Sequence, residues 1–328
     1  MDKLISKIEK LIKYEKITNP DIQYLTPEHA GLIAQIISNY KLKEPTSSKP
    51  SAQMIFLGAP TGAGKDTLVR KIMTDNPDEN FVVLNMDMFR TYHNVISGNE
   101  EPISDKDYAR ATNQSSYELY YIIQELILRE FPGTSVIVTG TMTDLDWVKE
   151  IATRYKLEPS TDYKISLVTL AVPIKESAFS IFERYLNMVN ARGDSTSPLR
   201  YTDLKYHNDT INGFTQNLHT LEDELHAKKD KSLFKSIRVY RRSTNILDLS
   251  EDTLIYDSTS PLPDRCAFTK VYEIMHSSSA ISQERIDRLY SIIEANAEYL
   301  KTQNLYDSIK TDLNNIIFDQ RSNEDKTK

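Results

Sequence analysis

The chain has 328 residues, 39% hydrophobic and 27% charged, with a formal net charge of −7 and a single cysteine, Cys266. That length holds one large α/β domain with appendages or two modest domains. The scattered acidic balance excludes the electrostatic footprint of a general nucleic-acid binder. A lone cysteine excludes an internal disulfide and suits a reducing cytoplasm, and no apolar run approaches the ~20 residues that would cross a bilayer.

Residues 3–17 set Leu4, Ile5, Ile8, Leu11 and Ile12 on one face, which predicts a helix. Thr26-Pro27 opens a second helix running to about Tyr40, and KLKEPTSSKPS (41–51) reads as a linker. Strands and helices then alternate: strand 53–58, helix 64–74, strand 81–86, helix 105–131, strand 135–139, helix 143–156, strand 164–171 and helix 174–191. A polar loop at 192–200 precedes a long helix at 201–226, a strand at 235–241 and a short strand at 253–256. The tail carries a helix near 281–301, with Ile286, Leu289, Ile292 and Ile293 as its apolar face, and RSNEDKTK is expected to be disordered. Continuous apolar strands between helices predict a mostly parallel sheet sandwiched by helices. The expected organisation is a helical extension and linker at 1–50, an α/β domain at 51–260 and a helical extension at 261–328.

The chemistry concentrates first in MIFLGAPTGAGKDTLVR (54–70), an apolar strand, a glycine-rich turn, a lysine and a helix start. Backbone N–H groups of such a turn converge on phosphate oxygens, and the helix presents its positive end to the same anion. Gly58, Ala59, Pro60, Thr61, Gly62, Ala63, Gly64, Lys65, Asp66 and Thr67 form this expected nucleotide cradle, with Lys65 reaching the outer phosphates. Asp87 follows the apolar residues of the second strand, at the carboxyl edge where open α/β sheets bind ligands. From position alone it is equally a general base or a cap of the next turn. The third strand ends in Thr139 where a motor ATPase carries an acid, which favours a small kinase over a hydrolysing switch. Arg184 and Arg200 flank a loop, as lid arginines of a phosphotransferase would, although each alone also reads as a solvated surface arginine. His93 could orient a substrate. The six histidines show no zinc-ligand spacing, and the Arg192-Gly193-Asp194 tripeptide is a chance occurrence.

The order of motifs resembles the zeta toxin family of P-loop kinases, the toxin half of epsilon/zeta-type toxin–antitoxin systems. The matching stretches are FLGAPTGAGKDTL (56–68), NMDMFRTYH (85–93), VIVTGT (136–141), LAVPIKESAFSIFERYLNM (170–188), LRYTDLKYHND (199–209), LFKSIRVYRR (233–242) and LIYDS (254–258). The resemblance implies a P-loop kinase fold and an ATP- or GTP-dependent kinase acting on a UDP-activated amino sugar, typically the 3′-hydroxyl of UDP-N-acetylglucosamine. It makes Lys65 a phosphate ligand, Asp87 the base, Arg184 and Arg200 the lid arginines, and an antitoxin protein a partner. Arg200 stands seven residues before His207, as the family's second arginine precedes its own histidine. The acceptor-side set expected on this basis is Phe89, Arg90, His93, Thr112, Thr139, Gly140 and Thr141, with Asp66 and Thr67 as ligands of Mg²⁺.

The chain departs from the family pattern at four places. Asp66 replaces the Thr after the lysine, Thr139 replaces an acid, Thr143 replaces an arginine, and the loop between the lid arginines is longer. The altered acceptor positions leave open a different acceptor, such as a nucleotide, dinucleotide or antibiotic hydroxyl. They also leave open a degenerate nucleotide-binding interaction module. The first 50 residues read as a two-helix brace on the core, or as an occupant of the surface that an antitoxin covers.

Overall fold

The computed structural model describes residues 1–40, 42, 51–99, 101–193, 195, 197–227, 232–243, 253–260 and 266–324. Helices α1 (Asp2–Thr18) and α2 (Ala30–Asn39) lead to strand β1 (Ser51–Gly58) and helix α3 (Lys65–Asp75). Strand β2 (Val82–Asn85) runs through a 3-10 turn, Met86–Tyr92, into the short helices α4 (His93–Ser97) and α5 (Asp105–Ala111). Then come α6 (Asn113–Glu130), β3 (Val136–Gly140), α7 (Leu145–Leu157), β4 (Asp162–Ala171), α8 (Ile174–Ala191) and α9 (Leu204–Ala227). Strands β5 (Ser236–Arg241) and β6 (Thr253–Asp257) precede α10 (Ala267–Met275), α11 (Gln283–Ala295), α12 (Ala297–Thr302) and α13 (Tyr306–Glu324).

The six strands lie in the order β2-β3-β1-β4-β5-β6. All pair in parallel except β6, which runs antiparallel to β5 at the edge. Alternation along β1 divides its side chains between two cores: Met54 and Phe56 face the larger, Ile55 and Leu57 the smaller, where Leu68, Val69 and Ile72 of α3 cover them. A third apolar cluster joins Phe179, Phe182, Leu186 and Val189 of α8 to Leu289, Ile293, Leu300, Ile309 and Leu313 of the C-terminal helices. The mostly parallel, helix-sandwiched sheet is therefore as expected. The register places Gly58 opposite Gly140, and Asn85 opposite Thr139, so the ends of β1, β2 and β3 open onto one edge.

The expected helix at 105–131 is two, because Thr112 turns its hydroxyl back onto the Tyr108 carbonyl at 2.7 Å and interrupts the run. The helix at 281–301 likewise divides at Asn296, whose side-chain amide donates to the Ile292 carbonyl. Helices α10 and α13 lie beyond what the sequence pattern predicts. Residues 321–324 of the tail expected to be disordered lie in α13, whereas 325–328, like most of the 41–51 linker, fall outside the described residues. No described helix is long and apolar enough to cross a membrane.

The N-terminal helices pack into the larger core through Ile8, Leu11, Ile12, Ile33 and Ile37. Their connecting segment is fixed by the fully buried Glu118 of α6, whose carboxylate accepts from the backbone N–H groups of Gln23, Tyr24 and Leu25 at 2.8–2.9 Å. Glu118→Ala leaves these donors without their acceptor and is expected to destabilise the fold by about 3 kcal/mol. A shifted midpoint in chemical denaturation would register this; an unchanged midpoint would refute the anchoring role. No residue of α1 or α2 lines the cleft at the carboxyl edge of the sheet.

Candidate active site

The turn after β1 is stitched to the end of β3 by the Ala59 N–H, which donates to the Gly140 carbonyl at 3.2 Å. Gly62 has φ +74°, and a Cβ there would lie 2.1 Å from the Ser177 carbonyl oxygen of α8, so this position requires glycine. Gly64, at φ +96°, precedes α3. Lys65 begins α3 and folds its ammonium onto the loop's own carbonyls, Ala59 at 2.7 Å and Pro60 at 3.0 Å. Burial, then the charges of Arg200 and Arg184, push Lys65 down to about 7, with Asp66 opposing.

Asp87 sits in the turn after β2. Asn85, at the end of the strand, takes the capping role by accepting from the Asp87 N–H at 3.0 Å. The Asp87 carboxylate is held instead by Arg90 Nε at 2.8 Å and by an ion pair with Arg200. Arg90 is 6% exposed; it also donates to the Ala109 carbonyl at 2.6 Å and the Thr112 hydroxyl at 2.9 Å. Arg184 reaches the Thr202 hydroxyl at 3.3 Å, and burial lowers the pKa values of both Arg184 and Arg200.

One cleft of about 1220 Å³ collects Thr61, Gly62, Gly64, Lys65, Asp66, Thr67, Asp87, Arg90, Thr139, Gly140, Thr141, Arg184 and Arg200. Most of the expected donor-side groups and four of the acceptor-side groups, Arg90, Thr139, Gly140 and Thr141, thus share one space at the carboxyl edge. Gly58, Ala59 and Ala63 are buried in the turn's base, and Pro60 faces it through its carbonyl. Phe89, His93 and Thr112, expected on the acceptor side, stand behind the cleft wall. Phe89 belongs to the larger core, His93 bonds to the Ser115 hydroxyl at 2.8 Å, and Thr112 supports Arg90. Local sequence places them near the sheet edge, but their apolar or inward-bonded side chains point into the core. His207 is similarly internal: it bonds to the Ser177 hydroxyl at 2.9 Å, and burial pushes it down to about 4.

Sequence reasoning missed Arg242, which donates to the Gly62 carbonyl at 3.1 Å and the Ser180 hydroxyl at 3.2 Å. The signal was present, because Arg242 follows the apolar run of β5 just as Asp87 follows that of β2. Also missed among the residues lining the cleft were Asn113, Tyr117, Trp147 and Tyr206, and Arg285 and Arg288 of α11. Asp66 and Thr67 offer hard oxygen donors at the cleft, the chemistry Mg²⁺ accepts when nucleotide phosphates and waters complete its shell, so the residues present fit the ion. Among the described residues no group of three metal-ligating side chains occurs.

None of the curated protein sequences compared with this chain matches it. Solved structures do. A chain from the PezAT chromosomal toxin–antitoxin system of the human pathogen Streptococcus pneumoniae is 20% identical and superposes with a TM-score of 0.62, over 84% of this chain and 99% of that one. The AvrRxo1-ORF1:-ORF2 complex with ATP is 15% identical, with a TM-score of 0.51 over 93% of each chain. Its native form gives 0.52 at 15% identity, over 93% of this chain and 92% of that one. These likenesses bear on the fold alone, which this chain shares with them. The family model described as Zeta toxin matches residues 38–260, about two thirds of the sequence and including every cleft residue up to Arg242. The chain belongs to the Zeta toxin family.

Proposed function

We propose that this protein is an ATP-dependent small-molecule kinase that phosphorylates the 3′-hydroxyl of UDP-N-acetylglucosamine. The observation that carries the reading is the placement of Lys65, Asp87, Arg184 and Arg200 around one cleft at the end of β1 and β2. The turn's N–H groups and Lys65 hold the β- and γ-phosphates. Asp87 takes the proton of the acceptor hydroxyl, whose oxygen bonds to the γ-phosphorus as the bond to the β,γ-bridging oxygen breaks and ADP leaves. Arg184 and Arg200 neutralise charge on the moving phosphoryl group. Mg²⁺, held by Asp66 and Thr67 with the phosphates, would supply further charge neutralisation. ATP as donor is supported by the AvrRxo1 complex described with that nucleotide, and an antitoxin as partner by the PezAT system. A phosphorylated sugar nucleotide would withdraw a precursor from cell-wall synthesis.

A specific observation favours a second acceptor class, a nucleotide or dinucleotide. The acceptor wall carries Thr139, Thr141 and Thr143, the last two bonded to each other at 2.9 Å, beside Tyr117, Trp147 and Tyr206. Neutral hydroxyls with aromatic faces suit a base and a ribose as well as an amino sugar. Incubation with ATP, Mg²⁺ and a panel of UDP-sugars, nucleotides and dinucleotides, read by mass spectrometry, separates the two. Transfer of one phosphoryl group to UDP-N-acetylglucosamine is the expected result. Transfer only to another nucleotide would establish the second class, and transfer to none of them would overturn both and leave an antibiotic hydroxyl as acceptor or the interaction-module reading.

A further inference from the structure

Asp105 opens α5 and is 1% exposed, yet its carboxylate is fully engaged. One oxygen accepts from the Leu199 N–H at 2.7 Å; the other accepts from the Tyr185 hydroxyl at 2.7 Å and from the Tyr299 hydroxyl. The Asp105 carbonyl accepts from the Tyr201 N–H at 3.4 Å, and its own N–H donates to the Gln303 side chain at 3.0 Å. Leu199 and Tyr201 flank Arg200, and Tyr185 follows Arg184. A single buried residue therefore pins the backbone on both sides of one lid arginine and the neighbour of the other. Tyr299 and Gln303 tie the same point to α12 and the residue after it, and the Tyr201 ring meets that of Tyr185 edge-on at 5.2 Å.

The other end of α5 holds the base. Ala109 and Thr112 accept from Arg90, and Arg90 holds Asp87. A helix of this length spans roughly 10 Å. It acts as a strut with the lid arginines fastened at its first residue and the base at its last turn.

We propose that Asp105 is a positioning residue for phosphoryl transfer: through α5 it sets the lid arginines, Arg184 and Arg200, against Asp87, and the C-terminal helices lock that setting through Tyr299 and Gln303. The proposal rests on the kinase reading above. Asp105 does not line the cleft, so its effect passes through the arginines. With the backbone of Arg200 fixed at both neighbours, its side chain is what moves from Asp87 to an incoming phosphoryl group.

The test needs no acceptor. ADP with Mg²⁺ and fluoroaluminate mimics the transferring phosphoryl, so the lid arginines should tighten ADP binding when fluoroaluminate is added. For the wild type a gain of about tenfold or more is expected, the scale of charge-assisted contacts to a phosphoryl mimic. Asp105→Ala should bind ADP alone within about twofold of wild type and lose most of that gain, because ångström-scale misplacement costs on the order of a hundredfold in such sites. Asp105→Asn keeps an acceptor for Leu199 while the tyrosine hydroxyls reorient, and should restore the gain. Tyr299→Phe, which keeps the ring, should reduce it about threefold. An undiminished gain in Asp105→Ala overturns the positioning role, and so does a parallel loss of ADP affinity, which marks a merely structural residue. If Asp105→Ala does not fold, Tyr299→Phe decides, and a full gain in that variant overturns the role. A wild type without any gain overturns the kinase reading itself.

Discussion

Asp87→Asn is expected to lower kcat roughly a thousandfold, within the range assigned to a positioned general base, while leaving the acceptor KM little changed. The substitution keeps the shape of the side chain but removes the atom that takes the proton. It also has a second, opposite effect. Arg200 is paired with Asp87, so ATP must compete for it. With the carboxylate gone, Arg200 is available to the γ-phosphate from the start, so ATP should bind a few-fold more tightly, by an amount typical of one charge-assisted hydrogen bond formed without exchange. Single-turnover kinetics with an acceptor from the mass-spectrometric panel, together with calorimetric ATP titration, give both quantities. Turnover at the wild-type rate in Asp87→Asn would remove Asp87 from the chemistry.

The second large effect concerns Lys65. Replacement by Met should weaken ATP binding about a hundredfold and abolish transfer, since its ammonium is a direct ligand of the outer phosphates. The pH dependence is a sharper signature. Burial and the neighbouring arginines push Lys65 down to about 7 from its ordinary 10.5, so before ATP binds the amine is expected to be mostly neutral above pH 7. Bound phosphate favours the ammonium, so ATP binding takes up a proton there. Affinity should fall by up to about tenfold per pH unit above 7, and calorimetry in buffers of different ionisation enthalpy should show the uptake. Lys65→Met should show neither. For stability the sign runs the other way. Between 10.5 and about 7 the unfolded chain binds a proton at this lysine that the folded chain does not, so lowering the pH through that window is expected to destabilise the protein in the absence of ATP. ATP binding independent of pH between 7 and 9 would show that the lysine is charged throughout.

Features that depend on local pattern were legible in the sequence: the turn after β1, the alternation of strands and helices, and the site at the carboxyl edge. The ambiguity of Asp87 between base and cap is a question about side-chain direction: Asn85 takes the cap, and the Asp87 carboxylate turns to Arg90 and Arg200 at the cleft. Direction also explains why Phe89, His93 and Thr112 stand behind the wall. A position after a strand locates a residue along the chain but not around it. Glu118 and Asp105 were invisible for another reason. Glu118 meets partners 93 to 95 residues away, and Asp105 meets Leu199, Tyr185 and Tyr299 at separations of 80 to 194. A buried carboxylate has no periodicity to announce it. The C-terminal helices are only partly legible because their apolar face matches α8, an element about a hundred residues earlier.

That distance along the chain has a consequence for synthesis. The phosphate turn, Asp87, Arg184 and Arg200 all emerge from the ribosome before residue 202, whereas the surface under α8 and Tyr201 is supplied by residues from Ile281 to Ile316. A nascent chain can close the nucleotide cradle on its sheet while the arginines still lack their footing. The footing of the lid arginines is therefore completed later in synthesis than the cradle, once the residues through Ile316 are available to fold against α8.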